Sequence, residues 1–151
     1  MLNILYTDFN GNTNSSKILL DNINNNDKLY LKNSFNTSTK ELINMINDSM
    51  YDLIISFGQA PLDNNTIKIE TRGHNINYYQ TDFDYSQLKE KLEYNNYKVI
   101  ISNDAGNYLC NNLYYNGLKY IKDNNLNCQM IFVHIPKLKN IDDIKQLSSI
   151  F

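Results

Sequence analysis

The chain has 151 residues, 42 % of them hydrophobic, and a formal net charge of −2. That length suits a single domain, residues 1–151, with a genuine core, and the composition excludes wholesale disorder. No basic patch or tail is present and no apolar run reaches bilayer-spanning length, so neither nucleic acid nor a membrane is an expected partner.

The opening residues, Met1-Leu2-Asn3-Ile4-Leu5-Tyr6, run straight into a strand-like segment. They lack the charged start, apolar stretch and small-residue cleavage site of a secretory signal. Two cysteines without such a signal read as free thiols, and a cytoplasmic location follows as the expectation.

Strand-length apolar runs alternate with helix-period segments along the chain. Leu2 to Tyr6 reads as a strand, then Ser15 to Asn24 as a helix with Ile18, Leu19 and Ile23 on one face. Lys28 to Leu31 reads as a strand and Thr39 to Asp48 as a helix capped by Ser38 or Thr39. Asp52 to Phe57 is a nearly continuous apolar run, the pattern of a strand buried on both faces, and a Gly58-Gln59-Ala60-Pro61 loop follows it. Thr66 to Ile76 alternates in strand fashion. The irregular stretch from Glu70 to Phe83 has room for a hairpin or antiparallel pair.

Tyr85 to Tyr94 reads as an amphipathic helix and Lys98 to Ser102 as another buried strand. Asn107 to Asn124 is the longest helical segment, Gln129 to Ile135 a further strand and Ile141 to Ser148 a last helix. The asparagine runs Asn24 to Asn26, Asn64-Asn65 and Asn124-Asn125 lie between apolar segments and read as turns. This alternation predicts a three-layer α/β/α sandwich with a mainly parallel mixed sheet.

In such sheets ligands bind beyond the C-terminal ends of the strands, which directs attention to polar residues just after apolar runs. Ile101-Ser102-Asn103-Asp104-Ala105-Gly106 turns from a strand into a helix, and Cys110 falls in that helix's first turn. Free backbone N–H groups there favour a thiolate and offer donors to an oxyanion. His134 stands at the end of another apolar strand, one residue from Pro136. Helix and returning strand are consecutive, so sulfur and imidazole can meet at one sheet edge, as nucleophile and base require. The third group, which would orient the histidine, is left open among Glu70, Asp82, Asp84 and Asp104. Cys128 reads as packing. His74, four residues after Glu70, does not complete a metal site, and Gly58-Gln59-Ala60-Pro61 lacks the glycine spacing of a phosphate loop.

Ser102-Asn103-Asp104-Ala105-Gly106-Asn107-Tyr108-Leu109-Cys110-Asn111 resembles the Ser-x-x-Ala-Gly-Thr-Tyr/Phe-x-Cys-Asn segment of the pyroglutamyl peptidase type I (pyrrolidone-carboxylate peptidase) family. Phe132-Val133-His134-Ile135-Pro136 resembles its Phe-x-His-x-Pro, and the distance along the chain from Cys to His agrees. Ile67 to Asn75, with Glu70, resembles the catalytic-Glu motif; Gly58-Gln59-Ala60 precedes it as in the family.

The resemblance implies a phosphorylase/hydrolase-like fold and a cysteine peptidase without metal or cofactor. Cys110 would be its nucleophile, His134 its base and Glu70 the orienter, and Phe9 and Gln59 would contribute to the substrate pocket. The substrate would be a peptide with a blocked N-terminus, and a homo-oligomer is common in the family. The chain is shorter than family members, mainly between Glu70 and Cys110. It lacks the family's active-site arginine, since Arg72 does not align with it, and the Pro-Phe-Gly step of the N-terminal loop, leaving Phe9 as the pocket's aromatic wall. A different amide or thioester substrate, or an idle relative that binds a peptide or protein, are the alternative readings.

Overall fold

A computed structural model describes residues 1–24 and 27–151. Six strands form one sheet: β1 (Ile4–Phe9), β2 (Asp27–Leu31), β3 (Leu53–Gln59), β4 (Thr66–Glu70), β7 (Lys98–Ser102) and β8 (Gln129–Ile135). Their order is β2-β1-β3-β8-β4-β7, and every neighbouring pair is parallel except β4 with β8. Two short strands, β5 (Arg72–His74) and β6 (Tyr78–Gln80), form a separate antiparallel hairpin.

Helices cover both faces. On one, α1 (Ser15–Asn22), α3 (Ser86–Tyr94) and α5 (Ile144–Ser148) pack Leu19, Leu20, Leu92 and Leu147 against Tyr6, Ile55, Phe57, Ile69 and Val133. On the other, α2 (Phe35–Asp48) and α4 (Leu109–Asp123) pack Leu42, Ile46, Leu113, Tyr114 and Leu118 against Leu5, Ile54, Met130 and Phe132. Alternate residues of β1, β3 and β8 thus feed opposite cores, which is why these strands read as continuous apolar runs. Each fully buried leucine or isoleucine contributes roughly 1.5–3 kcal/mol to this packing.

Several expectations are corrected. β1 begins later than Leu2 and runs on to Phe9, because Thr7 and Asp8 are buried beside the apolar residues. α1 stops at Asn22, and Ile23 is extended. α2 starts at Phe35, a turn before Thr39, because the Ser34 side chain accepts from the Thr37 N–H and caps it there. The loop expected at Gly58-Gln59 belongs to β3.

Thr66 to Ile76 is divided at Thr71 into β4 and β5, and the irregular stretch holds the β5–β6 hairpin. The Lys98–Ser102 strand has the expected bounds but lies at the sheet's edge, with Ile100 and Ile101 exposed. The last helix begins at Ile144, after a 3₁₀ turn at Leu138–Asn140. Asn65 and Asn125 take positive φ in turns, as asparagine tolerates. Asn25 and Asn26 of the other run lie outside the described residues.

Candidate active site

The site lies at the ends of β3, β4 and β8, on the sheet face covered by α4. Antiparallel pairing sets Lys68 opposite His134 and Glu70 opposite Phe132, so Glu70 and His134 are diagonal neighbours on one face. Glu70 Oε1 lies 2.9 Å from His134 Nδ1, and both side chains are buried. A carboxylate acceptor at Nδ1 puts the ring proton there and leaves the Nε2 lone pair free. Lys68 Nζ stands 3.8 Å from the same Oε1. The Tyr114 hydroxyl donates to the Glu70 carbonyl at 2.8 Å and ties β4 to α4, while Glu70 Oε2 is buried without a hydrogen-bond partner among the described residues.

Cys110 is the second residue of α4. The loop before it is built by short-range bonds: the Asp104 N–H donates to Ser102 Oγ and the Gly106 N–H to Asp104 Oδ1. Gly106 has φ +86, a conformation that favours glycine. Tyr108 caps the helix without a side-chain bond, so its side chain does not occupy the first-turn N–H groups.

Gly58 makes room for the sulfur. A Cβ at this position would lie 2.7 Å from Cys110 Sγ, 3.1 Å from Phe132 Cε1 and 3.2 Å from His134 Cδ2. Sulfur and imidazole therefore converge on one point of β3, and Cδ2 is the ring atom bonded to the free Nε2. Among the described residues no hydrogen bond joins Cys110 to His134.

The expectation of a lowered thiol pKa is not met. Burial, followed by the charges of Asp8 and Glu70, pushes the Cys110 thiol up to about 12, against a pull from its own backbone N–H. The resting group is a thiol, and ionisation needs an acceptor for its proton.

Phe9 is buried in the same cluster as Cys110, Ala105, Leu109 and Phe132. Gln59 is half-buried, and its Oε1 accepts from the Ser15 N–H at 2.9 Å, holding the start of α1. Asp104 pairs instead with His74, whose Nε2 is 3.3 Å from Oδ1, while Asp82 and Asp84 are exposed on the segment leading into α3. Cys128 packs beside the α4 core as a free thiol.

Two residues escaped the sequence reading. Asp8 is fully buried within an apolar strand, a polar residue at a strand end that the same positional rule could have singled out. Asn111 receives the His74 N–H on Oδ1 at 2.9 Å and donates from Nδ2 to the His74 carbonyl at 2.8 Å, pairing with β5 as a strand would.

A family model described as pyroglutamyl peptidase matches residues 75–149, a stretch that includes Cys110 and His134. Over this stretch the chain is similar to the pyroglutamyl peptidases. It is 37 % identical over 83 residues to pyrrolidone-carboxylate peptidase 1 of Caldanaerobacter subterraneus subsp. tengcongensis. The aligned part covers 55 % of this chain but only 38 % of that relative.

Solved pyroglutamyl peptidases share the fold. That of Bacillus amyloliquefaciens matches with a TM-score of 0.84 at 16 % identity, covering 99 % of this chain and 93 % of its own. Pyrrolidone carboxyl peptidase from Thermococcus litoralis matches with 0.79 at 21 % identity, covering 95 % and 80 %. Relative to the pyroglutamyl peptidase sequences, the match with the family model leaves Asp8, Phe9, Gln59 and Glu70 outside it.

Proposed function

We propose that this chain is a cysteine peptidase that removes an N-terminal pyroglutamyl group from peptides, acting through Cys110, His134 and Glu70. The observation that carries this reading is the buried Glu70–His134 pair, whose imidazole abuts the same glycine as the Cys110 sulfur.

The Cys110 proton passes to His134 Nε2 as the sulfur attacks the pyroglutamyl carbonyl carbon. First-turn N–H groups of α4 donate to the oxygen as it becomes negative. His134 then returns the proton to the departing amine, leaving an acyl-enzyme. It next takes a proton from water, and the hydroxide displaces the thiolate to release pyroglutamate. Glu70 holds the imidazole in the required tautomer and stabilises its cation. Because burial disfavours a free thiolate here, attack and proton transfer are coupled. Phe9 forms an apolar wall for the lactam ring, and Gln59 a polar one.

Free Cys110 and Cys128 suit a reducing cytoplasm. No helix among the described residues is long and apolar enough to cross a membrane.

The test is turnover of a fluorogenic pyroglutamyl amide by wild type and by Cys110→Ser. Release by wild type and its loss in the variant support the reading. A folded wild-type protein that releases no fluorophore overturns it.

A further inference from the structure

Asp8 takes no part in the proposed chemistry, yet it is a fully buried carboxyl in the strand next to the one that seats the Cys110 sulfur. β1 pairs with β3 so that Thr7 faces Ser56, which sets Asp8 level with Phe57, one residue before the glycine that seats the Cys110 sulfur. Its side chain lies on the opposite sheet face, against α1.

There Asp8 Oδ1 is 2.6 Å from Ser16 Oγ, and the same Oγ is 2.8 Å from Asn14 Oδ1. The orientation of the Asn14 amide is set by two other bonds: Nδ2 donates to the Phe9 carbonyl and Oδ1 accepts from the Ser16 N–H. The Ser16 hydroxyl therefore stands between two acceptor oxygens with one hydrogen to give. Both contacts become hydrogen bonds only when the Asp8 carboxyl carries a proton, donating to Ser16 while Ser16 donates to Asn14. Asp8 Oδ2 is buried without a hydrogen-bond partner among the described residues, an arrangement far more costly for a carboxylate than for an acid.

We propose that Asp8 is a positioning residue of the site, kept uncharged by the Ser16–Asn14 relay so that no buried charge opposes the Cys110 thiolate from behind the sheet. This rests on the reading of Cys110 as the nucleophile.

Burial pushes the Asp8 carboxyl up to about 7, over the opposing pull of its hydrogen bonds and of Lys17, and with support from Asp21. Ser16, Lys17 and Asp21 face it from α1 and the Tyr30 hydroxyl from β2, while Cys110 lies across the sheet on the α4 face and is reached only through the field of the charge. Of the charges that raise the Cys110 thiol, that of Asp8 ranks ahead of Glu70. Ionising Asp8 thus lowers the reactivity of the sulfur, without any contact between Asp8 and substrate.

The test is the rate at which iodoacetamide modifies Cys110, followed by mass spectrometry of its peptide from pH 5.5 to 8.5, in wild type and Asp8→Asn. This reads the thiol and not turnover, so a protein inert toward pyroglutamyl amides can still pass it. Equal rates at the acid end and a roughly tenfold faster variant at the alkaline end are expected, from one charge acting through the protein interior. A ratio that does not change with pH marks a merely structural effect and overturns the proposal.

Carboxyl-carbon NMR of Asp8 in wild type supplies a readout should the variant fail to fold. A protonated Asp8 at pH 5.5, whose titration coincides with a break in the wild-type alkylation profile, supports the relay. An ionised Asp8 at pH 5.5, or a profile with no such break, overturns it.

Discussion

Glu70 and His134, on antiparallel neighbouring strands, share a buried hydrogen bond of 2.9 Å set by the β4–β8 register. Were β4 parallel to β8, the diagonal offset that lets the carboxylate reach Nδ1 would change. Glu70→Gln keeps the shape but can present an amide N–H to Nδ1, which moves the ring proton to Nε2 and removes the base. Turnover of a pyroglutamyl amide is expected to fall by about 10²–10⁴-fold in kcat, by analogy with orienting carboxylates in other triads. Circular dichroism should show the fold intact. A variant with wild-type kcat takes Glu70 out of the mechanism.

Gly58 offers a test that leaves every polar group in place. In Gly58→Ala the new methyl would stand 2.7 Å from Cys110 Sγ, closer than such contacts occur, with Phe132 and His134 blocking retreat at 3.1 and 3.2 Å. The sulfur must leave its seat at this glycine. We expect a loss of at least about tenfold in kcat, from misplacement of the nucleophile. Urea unfolding should report a stability cost of about 1–3 kcal/mol from overpacking. Unaltered kinetics would mean that the sulfur does not need this seat.

These two residues also show what could and could not be read from the chain. Gln129–Ile135 and Lys98–Ser102 were legible to the residue, because a run of β-branched and aromatic side chains bounded by polar turns has little other use. The same run cannot say whether its strand is central, and Ile100 and Ile101 turn out to face solvent at an edge. Cys110 and His134 stand out by their positions at a helix start and a strand exit, and both abut Gly58. Glu70 does not, since its partner is remote in sequence and spacing favours it no more than Asp82, Asp84 or Asp104; only the resemblance points to it. Asp8 stayed hidden because a single polar residue in a strand usually faces water. The exposed Phe35 likewise concealed the first turn of α2.

The same Asp8 couples the fold to pH. Its folded value, about 7, lies above the 3.8 of an unhindered carboxyl. Folding therefore takes up a proton between those values. The associated stability is fully present below the unfolded value, declines as pH rises through the window and is gone above the folded value. Relative to Asp8→Asn, which cannot titrate, wild type should lose about 1.4 kcal/mol per pH unit between pH 4 and 7. Paired urea titrations across that range measure the difference. Parallel curves for the two proteins would show that Asp8 titrates alike in both states.

Asn111 links the site to the hairpin beside it. Its amide pairs with both backbone groups of His74, and Gly73 lies so close to α4 that a Cβ there would clash with the Tyr115 backbone. The hairpin therefore rests on the helix backbone at Tyr115 and is held by the side chain one residue after Cys110. Asn111→Leu fills similar volume but leaves the His74 N–H and carbonyl without these partners, at a cost of about 1–3 kcal/mol. Hydrogen exchange should quicken at His74 and along β5 while β3 and β8 keep their protection, since the hairpin is not part of the main sheet. If β5 exchange were unchanged, the docking would rest on Gly73 and on the Tyr115 hydroxyl that donates to Asn77. In that case Tyr115→Phe should produce the loosening instead.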